Sequence, residues 1–118
     1  MKKWGLIIVK VLLTLAFASA GLAKLAGVEM MVATFDNIGW GQWFRYLTGV
    51  IEVGGAIGLW VRGYQGWAAA FLGATMVGAV TYHAIYGDPM TPAIVLGILS
   101  ALVLRNHKDQ VPVVRDIL

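Results

Sequence analysis

TGVIEVGGAIGLW, residues 48–60, has the composition of a membrane-spanning helix and contains a single carboxylate, Glu52. No other charged residue lies within four positions of Glu52 along the chain. An acid at the middle of a spanning helix costs roughly 2.5–3.5 kcal/mol on insertion scales. Such a group should face the protein interior and have a partner there, and the rest of the sequence has to supply that partner.

The overall composition is also that of a membrane protein. Of the 118 residues, 59% are hydrophobic and 13% are charged, whereas about 25% of an ordinary soluble domain is charged. The small net charge of +3 sits at the ends of the apolar runs, which indicates membrane topology and argues against nucleic acid as a partner. Because the chain has no cysteine, disulfides, c-type haem and cysteine-ligated iron–sulfur clusters are excluded.

The apolar runs predict an all-α fold, a bundle of four transmembrane helices in one domain. This domain covers residues 1–105, and residues 106–118 form a polar cytoplasmic tail that we expect to be loose. The predicted spans are residues 4–23, 45–61, 67–86 and 92–104.

The segment between the first and second spans predicts a short amphipathic helix at the membrane interface. Its apolar residues recur at helical spacing, at Val28, Met31, Val32, Phe35 and Ile38. The two indoles that follow, Trp40 and Trp43, are expected to anchor the chain at headgroup depth.

The first apolar run imitates a signal peptide, but Lys10 interrupts its core and three more apolar runs follow, so a retained helix is expected. Residues 10, 14, 17, 21 and 24 fall on one helical stripe, which contains Lys10, Thr14 and Lys24. A polar stripe should point into the bundle. The alternative is that the two lysines snorkel to opposite surfaces. Snorkelling is the favoured interpretation for Lys10, and both interpretations stay open for Lys24.

Four spans place both termini on one side of the membrane. Six basic residues fall on that side: Lys2, Lys3, Arg62, Arg105, Lys108 and Arg115. The opposite side has two basic residues, Lys24 and Arg45, next to Glu29, Asp36 and Asp88. By the positive-inside rule the termini are expected to be cytoplasmic.

This topology predicts a cluster of four polar residues in the outer half of the bundle. Lys24 ends the first span, Arg45 and Glu52 share a face of the second, and His83 lies one turn below the end of the third. These four residues are the candidates for ligand binding or proton exchange. His83 suits proton exchange because its unperturbed pKa is near 6.5. His107, in the tail, is expected to be solvated.

Two interpretations of this cluster remain open. In the first, an ion pair of Glu52 with Lys24 or Arg45 only fixes the packing. In the second, the cluster forms a small polar pocket that opens outward and holds a quinone-like or other small polar head group, or relays protons. A metal site is not expected, because His83 and Glu52 are too few ligands to close one.

Three blocks of this sequence resemble signatures of the DoxX-like family of small integral membrane proteins. Ala20-Gly21-Leu22-Ala23-Lys24-Leu25-Ala26-Gly27 is similar to its "AGxxKL.G" block, and residues 48–56 are similar to its "tGxxEvxGA" block. Residues 76–83, from Met76 to His83, are similar to its "MxgAxxxH" block. The blocks occur in order, and the resemblance extends to about Leu104. It implies a four-helix protein of the bacterial or archaeal cytoplasmic (inner) membrane, with the bilayer as its surroundings.

The resemblance implies several roles and leaves catalysis open. Some relatives work in redox systems, with quinone as acceptor in sulfur oxidation or with enzymes that handle oxidative stress. The first hypothesis is therefore an accessory subunit of a quinone-linked redox system, with redox proteins as partners and a polar pocket around Glu52. The second is a non-catalytic membrane chaperone or assembly factor with a structural polar cluster. The third is a small-solute or proton path in a homo-oligomer. No cofactor site other than one for quinone is suggested.

Overall fold

A computed structural model describes residues 2–117, with Ile117 described by its backbone alone. All regular structure in these residues is helical, as the sequence predicts. The α-helices are α1 (Lys3–Ala26), α2 (Glu29–Ile38), α3 (Trp43–Gly58), α4 (Gln65–Tyr86), α5 (Thr91–Asn106) and α6 (Pro112–Ile117), with a 3₁₀ turn at Lys108–Gln110.

The short helix predicted between the first two spans is confirmed as α2. It buries Phe35 and leaves Met30 exposed. The chain enters it through Gly27, whose φ of 73° is left-handed and whose N–H donates to the carbonyl of Lys24 at the end of α1. Since residues with a Cβ rarely adopt this conformation, glycine allows the abrupt end of α1 and the turn into α2.

Two helices, α1 and α4, are long and apolar enough to cross a membrane by length and composition. Helix α5 is a shorter apolar helix of 16 residues, and α3 also has 16 residues. At 1.5 Å per residue each of these two extends over about 24 Å. The helices therefore coincide with the four predicted spans, but length and composition support membrane crossing for two of them.

The helices pack as two pairs, α1 against α3 and α4 against α5, and contacts between α3 and α4 join the pairs. The apolar core lies where the pairs meet, around Leu13, Phe17, Leu59, Leu72 and Val103. Close approach depends on glycine. A Cβ added to Gly21 would lie 2.9 Å from the carbonyl oxygen of Gly49, so α1 and α3 touch backbone to backbone at this point.

The outer surface of the helices is apolar over their middle turns. Exposed side chains there include Ile8, Leu15, Val50, Phe71, Val77 and Ile98. The five tryptophans all lie at or near helix ends: Trp4, Trp40, Trp43, Trp60 and Trp67. An apolar band bordered by tryptophan is the surface expected of a protein in a bilayer.

The expectation of a loose tail is wrong for the described residues. Beyond α5 the chain continues as the 3₁₀ turn and α6, and Val111 is buried. The side-chain amide of Gln110 joins the 3₁₀ turn to α4. Its oxygen accepts a hydrogen bond from the N–H of Gly66 at 2.7 Å, and its Nε2 donates to Gln65 Oε1 at 2.7 Å. Satisfying an N–H in the first turn of α4 holds this segment against the bundle.

Candidate functional site

The partner of Glu52 is Lys24. Lys24 Nζ lies 2.6 Å from Glu52 Oε1, and the two side chains are 13% and 1% exposed. The contact is therefore a buried ion pair, and it joins α1 to α3. Of the two interpretations from the sequence, this geometry favours the ion pair that fixes packing.

The glycine contact explains how the two charges meet. Gly21 and Gly49 hold the α1 and α3 backbones together, and Lys24 and Glu52 follow them by three positions on their own helices. Residues three apart on a helix share a face. The charged pair therefore lies on the same contact face as the glycines. The stripe of residues 10, 14, 17, 21 and 24 points into the protein, as the sequence predicts, because Lys10, Phe17 and Gly21 are all buried.

Arg45 lies in the same region but does not pair with Glu52. It is 5% exposed, and its Nη1 donates to the carbonyl oxygen of Lys24. Its Nε donates to Gln42 Oε1 at 2.7 Å, and its guanidinium lies 4.3 Å from the ring centroid of Tyr46. A cation at the carbonyl end of a helix is stabilised by the helix dipole. Arg45 therefore caps the end of α1 and does not neutralise a carboxylate.

Gln42 extends this contact to α2. Its Nε2 donates to the carbonyl oxygen of Val32 at 3.0 Å and to Asp36 Oδ1 at 2.7 Å. The amide of Gln42 thus connects Arg45 with the last turns of α2. The polar network around the ion pair consists of Lys24, Glu52, Arg45, Gln42 and Asp36, and it joins three helices.

His83 lies at the same end of the protein but outside this network. Its Nδ1 is 3.5 Å from Asp88 Oδ2, and its side chain is 32% exposed. The adjacent tyrosines of α4 reach α2: Tyr86 OH donates to the carbonyl oxygen of Asn37 at 2.9 Å, and Asn37 Nδ2 donates to Tyr82 OH at 3.2 Å. The structure therefore brings together three of the four candidate residues, and His83 lies apart from them beside Asp88.

Two open grooves on the protein are lined almost entirely by apolar side chains. One, of about 420 Å³, lies between α3 and α4 and includes Gly54, Gly58 and Phe71. The other, of about 560 Å³, lies between α4 and α5 and includes Gly73, Val77 and Gly97. None of the four candidate residues lines either groove.

A second polar group lies at the other end of α1, and the sequence did not predict it. Lys10 is 7% exposed, and its ammonium lies 5.9 Å from the ring centroid of Trp60. The expectation that Lys10 snorkels stays a prediction, and little of the lysine side chain is exposed. Trp60 covers it, and Trp60 Nε1 donates to Thr14 Oγ1 at 2.8 Å, which holds the indole in this position. The polar stripe of the first helix identified Lys10 and Thr14 in the sequence, but no sequence pattern predicted their contact with Trp60.

His107 belongs to this second group. Its Nε2 is buried and has no hydrogen-bond partner among the described residues, so the expectation of a solvated side chain is wrong for this atom. Burial lowers the pKa of His107, and the positive charge of Lys10 lowers it further. The docked tail is the cause of this burial, since His107 directly precedes the 3₁₀ turn that packs against α4.

The fold and the buried ion pair define a small all-α protein with helices of the membrane type. The sequence profile of the DoxX-like family matches residues 8–104. The chain belongs to the DoxX-like family, which is membrane-associated, and the resemblance in its three sequence blocks is confirmed. Neither the curated proteins nor the solved structures gave a match.

Proposed function

We propose that the chain is a four-span protein of the bacterial or archaeal cytoplasmic membrane with both termini in the cytoplasm. The apolar band on the surface of the helices and the tryptophans at their ends support this placement. Six basic residues near the termini and the α3–α4 turn support the orientation. The short helices α3 and α5, about 24 Å each, are accommodated by local thinning of the bilayer.

Within the membrane, the chain acts as a non-catalytic assembly or accessory protein whose polar cluster is structural. The observation that carries this proposal is Glu52, which is 1% exposed and lies 2.6 Å from Lys24. A carboxylate that exchanges protons or binds a head group needs an approach from outside, and Glu52 lines neither groove. The apolar grooves are the surfaces available to partner spans, because glycine at a helix surface allows another helix to approach closely.

Gly54 tests this proposal. It lines the α3–α4 groove, and a Cβ added there would meet no atom within 4 Å. We expect Gly54→Leu to fold with a melting temperature in detergent at least as high as that of the natural chain, but to lose function in a strain that depends on this protein. The matched control is Val50→Leu, an exposed apolar position on the same helix. Full function of Gly54→Leu would contradict the use of this groove.

The accessory role in a quinone-linked redox system is the second candidate. The observation in its favour is the 13% exposure of Lys24, which leaves one edge of the ion pair next to the surroundings. If a quinone head displaces Lys24 there, Glu52→Gln keeps the fold and removes quinone-dependent activity. If Glu52→Gln lowers the folded fraction but leaves the quinone-dependent activity per folded molecule unchanged, this role is excluded.

A further inference from the structure

Helix α5 is too short to cross a bilayer of ordinary thickness. It has 16 residues, whereas α1 has 24 and α4 has 22. At 1.5 Å per residue α5 extends over about 24 Å, α1 over about 36 Å and α4 over about 33 Å. The hydrocarbon core of a typical bilayer is about 30 Å thick. The two long helices therefore reach both interfaces, and α5 does not.

Helix α3 has the same number of residues as α5 but a longer reach. Its helical hydrogen bonds continue past its end, since the N–H of Leu59 donates to the carbonyl oxygen of Gly55 at 3.0 Å. Exposed tryptophans mark its two ends, Trp43 and Trp60, which are about 26 Å apart at 1.5 Å per residue. Because tryptophan prefers the interface, α3 nearly matches the bilayer. The mismatch is therefore concentrated at α5.

Two close contacts fix how α5 lies beside α4. A Cβ added to Gly66 would lie 2.7 Å from the carbonyl oxygen of His107, and one added to Gly97 would lie 3.5 Å from Met76 Cβ. Ten positions separate Gly66 from Met76, and ten separate Gly97 from His107. The two antiparallel helices therefore keep one register, and the cytoplasmic end of α5 is level with the first turn of α4.

The turn that α5 lacks is at its outer end. The same register places Thr91, the first residue of α5, level with Tyr82, and α4 continues to Tyr86, about 6 Å further at 1.5 Å per residue. Residues 87–90 connect the two helices without helical structure, and the side chain of Asp88 among them is 50% exposed. Lipid-exposed irregular backbone does not occur in the hydrocarbon region, and a carboxylate is costly there. The hydrocarbon beside α5 therefore begins no higher than Thr91.

An exposed arginine limits the apolar surface of α5 at its cytoplasmic end. Arg105 lies fourteen positions after Thr91, so about 21 Å of helix separates the two residues. The side chains exposed between them include Ile94, Val95 and Ile98. Snorkelling of the Arg105 side chain recovers part of the shortfall at this end, but the Thr91 end has no long basic side chain. The bilayer beside α5 therefore has to thin, chiefly in its outer leaflet.

The exposed face of α1 does not require such thinning. Trp4 and Lys24 are twenty positions apart, about 30 Å along the helix, which is the thickness of a typical hydrocarbon core. The side chains exposed between them include Ile8, Leu15 and Leu22. Helices α1 and α5 therefore present two apolar surfaces that differ in height by about 9 Å.

We propose that α5 forms a lipid-binding surface that selects phospholipids with short acyl chains, whereas α1 accepts chains of ordinary length. This inference rests on the proposed four-span placement and names the lipids that surround one side of the protein. A long acyl chain next to α5 has to bend or compress below its relaxed length, and the cost grows with each Å of mismatch. A short chain meets α5 without this cost and therefore replaces the long chain there.

Competition between lipids at two labelled positions tests the proposal. Because the chain has no cysteine, a single cysteine in each full-length variant carries a fluorescent label. The variants are Ile98→Cys on α5 and, as the matched control, Leu15→Cys on α1, at side chains that are 57% and 64% exposed. Each protein is reconstituted with a nitroxide-labelled phosphatidylcholine of dioleoyl chain length as the quencher. Dimyristoleoyl, dioleoyl or dierucoyl phosphatidylcholine is the competitor, in order of increasing chain length, and helical circular dichroism verifies that both variants are folded.

We expect the short dimyristoleoyl lipid to displace the quencher from the Ile98→Cys label more readily than the dioleoyl lipid does, by a factor of about two or more. The long dierucoyl lipid should compete least well at this position. At the Leu15→Cys label the short lipid should have no advantage over the dioleoyl lipid, because α1 matches a bilayer of ordinary thickness.

Two results overturn the inference, and they differ in what they leave standing. Quenching of both labels with the same dependence on chain length removes the selectivity of α5 and leaves the four-span placement intact. Quenching of the Leu15→Cys label alone, in every lipid, shows that α5 does not face lipid. That second result overturns the four-span placement together with the inference.

Discussion

Lys24 and Lys10 lie on the same stripe of α1, but the two charges have different surroundings. Lys24 has a buried carboxylate, Glu52, at 2.6 Å. Lys10 has an indole, Trp60, whose ring centroid lies 5.9 Å from its ammonium, and no carboxylate among the described residues. The first arrangement is complete within the chain and holds α1 against α3. The second contains a cation–aromatic contact and no ion pair among the described residues. Removing a partner from a buried ion pair is strongly destabilising, so the two lysines are expected to differ in what their loss costs the fold.

The largest expected effect comes from removing the carboxylate beside Lys24, which leaves both lysines of the stripe without a described carboxylate. Glu52→Leu leaves Lys24 without its carboxylate. Breaking one partner of a buried pair costs about 3 kcal/mol or more, so we expect a loss of that size in the free energy of unfolding in detergent. Chemical denaturation followed by helical circular dichroism measures it. Unchanged stability of Glu52→Leu would mean that the two lysines do not differ in the way described.

The next effect concerns the glycine contact that brings the ion pair together. Gly21→Ala places a Cβ 2.7 Å from Val53 Cγ2 and 2.9 Å from the carbonyl oxygen of Gly49. Overpacking of this kind costs about 1–3 kcal/mol. Gly54→Ala is the matched control, since a Cβ there meets nothing within 4 Å. Its higher helix propensity stabilises the helix by up to about 1 kcal/mol. Melting temperatures that fall equally in both variants would contradict the backbone contact of α1 with α3.

A smaller effect on stability is expected when the charge of Lys10 is removed, and it can be compared with the removal of Lys24. Lys10→Met keeps the apolar stem, removes an unpaired charge and gives up the contact with Trp60, which is worth about 0.5–1 kcal/mol. We expect a stability change of less than about 1 kcal/mol, measured without added anions. Lys24→Met leaves Glu52 buried and unpaired, and loses about 3 kcal/mol. Equal losses in the two variants would show that Lys10 has a partner of its own.

The smallest effect is a pH dependence that originates at His107. Burial lowers the pKa of His107, and the charge of Lys10 lowers it further. The unfolded chain therefore takes up this proton first as the pH falls. The contribution to stability is complete above the ordinary histidine pKa of about 6.5 and is lost as the pH drops below it. Thermal unfolding from pH 8 to pH 5, without anions, should show this decline in the natural chain. His107→Phe should show less of it, and an identical profile would contradict the assignment.

Residue patterns predicted the Lys24 region better than the Lys10 region for a physical reason. The polar stripe of α1 and the short helix α2 follow from periodicity within one helix, and the need of Glu52 for a partner follows from the cost of a carboxylate in a spanning helix. Arg45 was placed on the correct face, but its capping of α1 depends on where the turn after α1 leads. The contact of Lys10 with Trp60 and the docking of Gln110 on Gly66 join residues distant in the chain. The periodicity of residues within one helix does not predict contacts between residues that are distant in the chain.

The central claim, that the ion pair of Lys24 and Glu52 is structural, is tested most directly by a double-mutant cycle. Free energies of unfolding are measured for Lys24→Met, Glu52→Leu and the double variant, together with function in cells. We expect each single variant to lose about 3 kcal/mol and the double variant to recover most of that loss, with its function retained. A double variant that is stable but inactive would contradict the claim, because it would show that the charges serve function and not the fold.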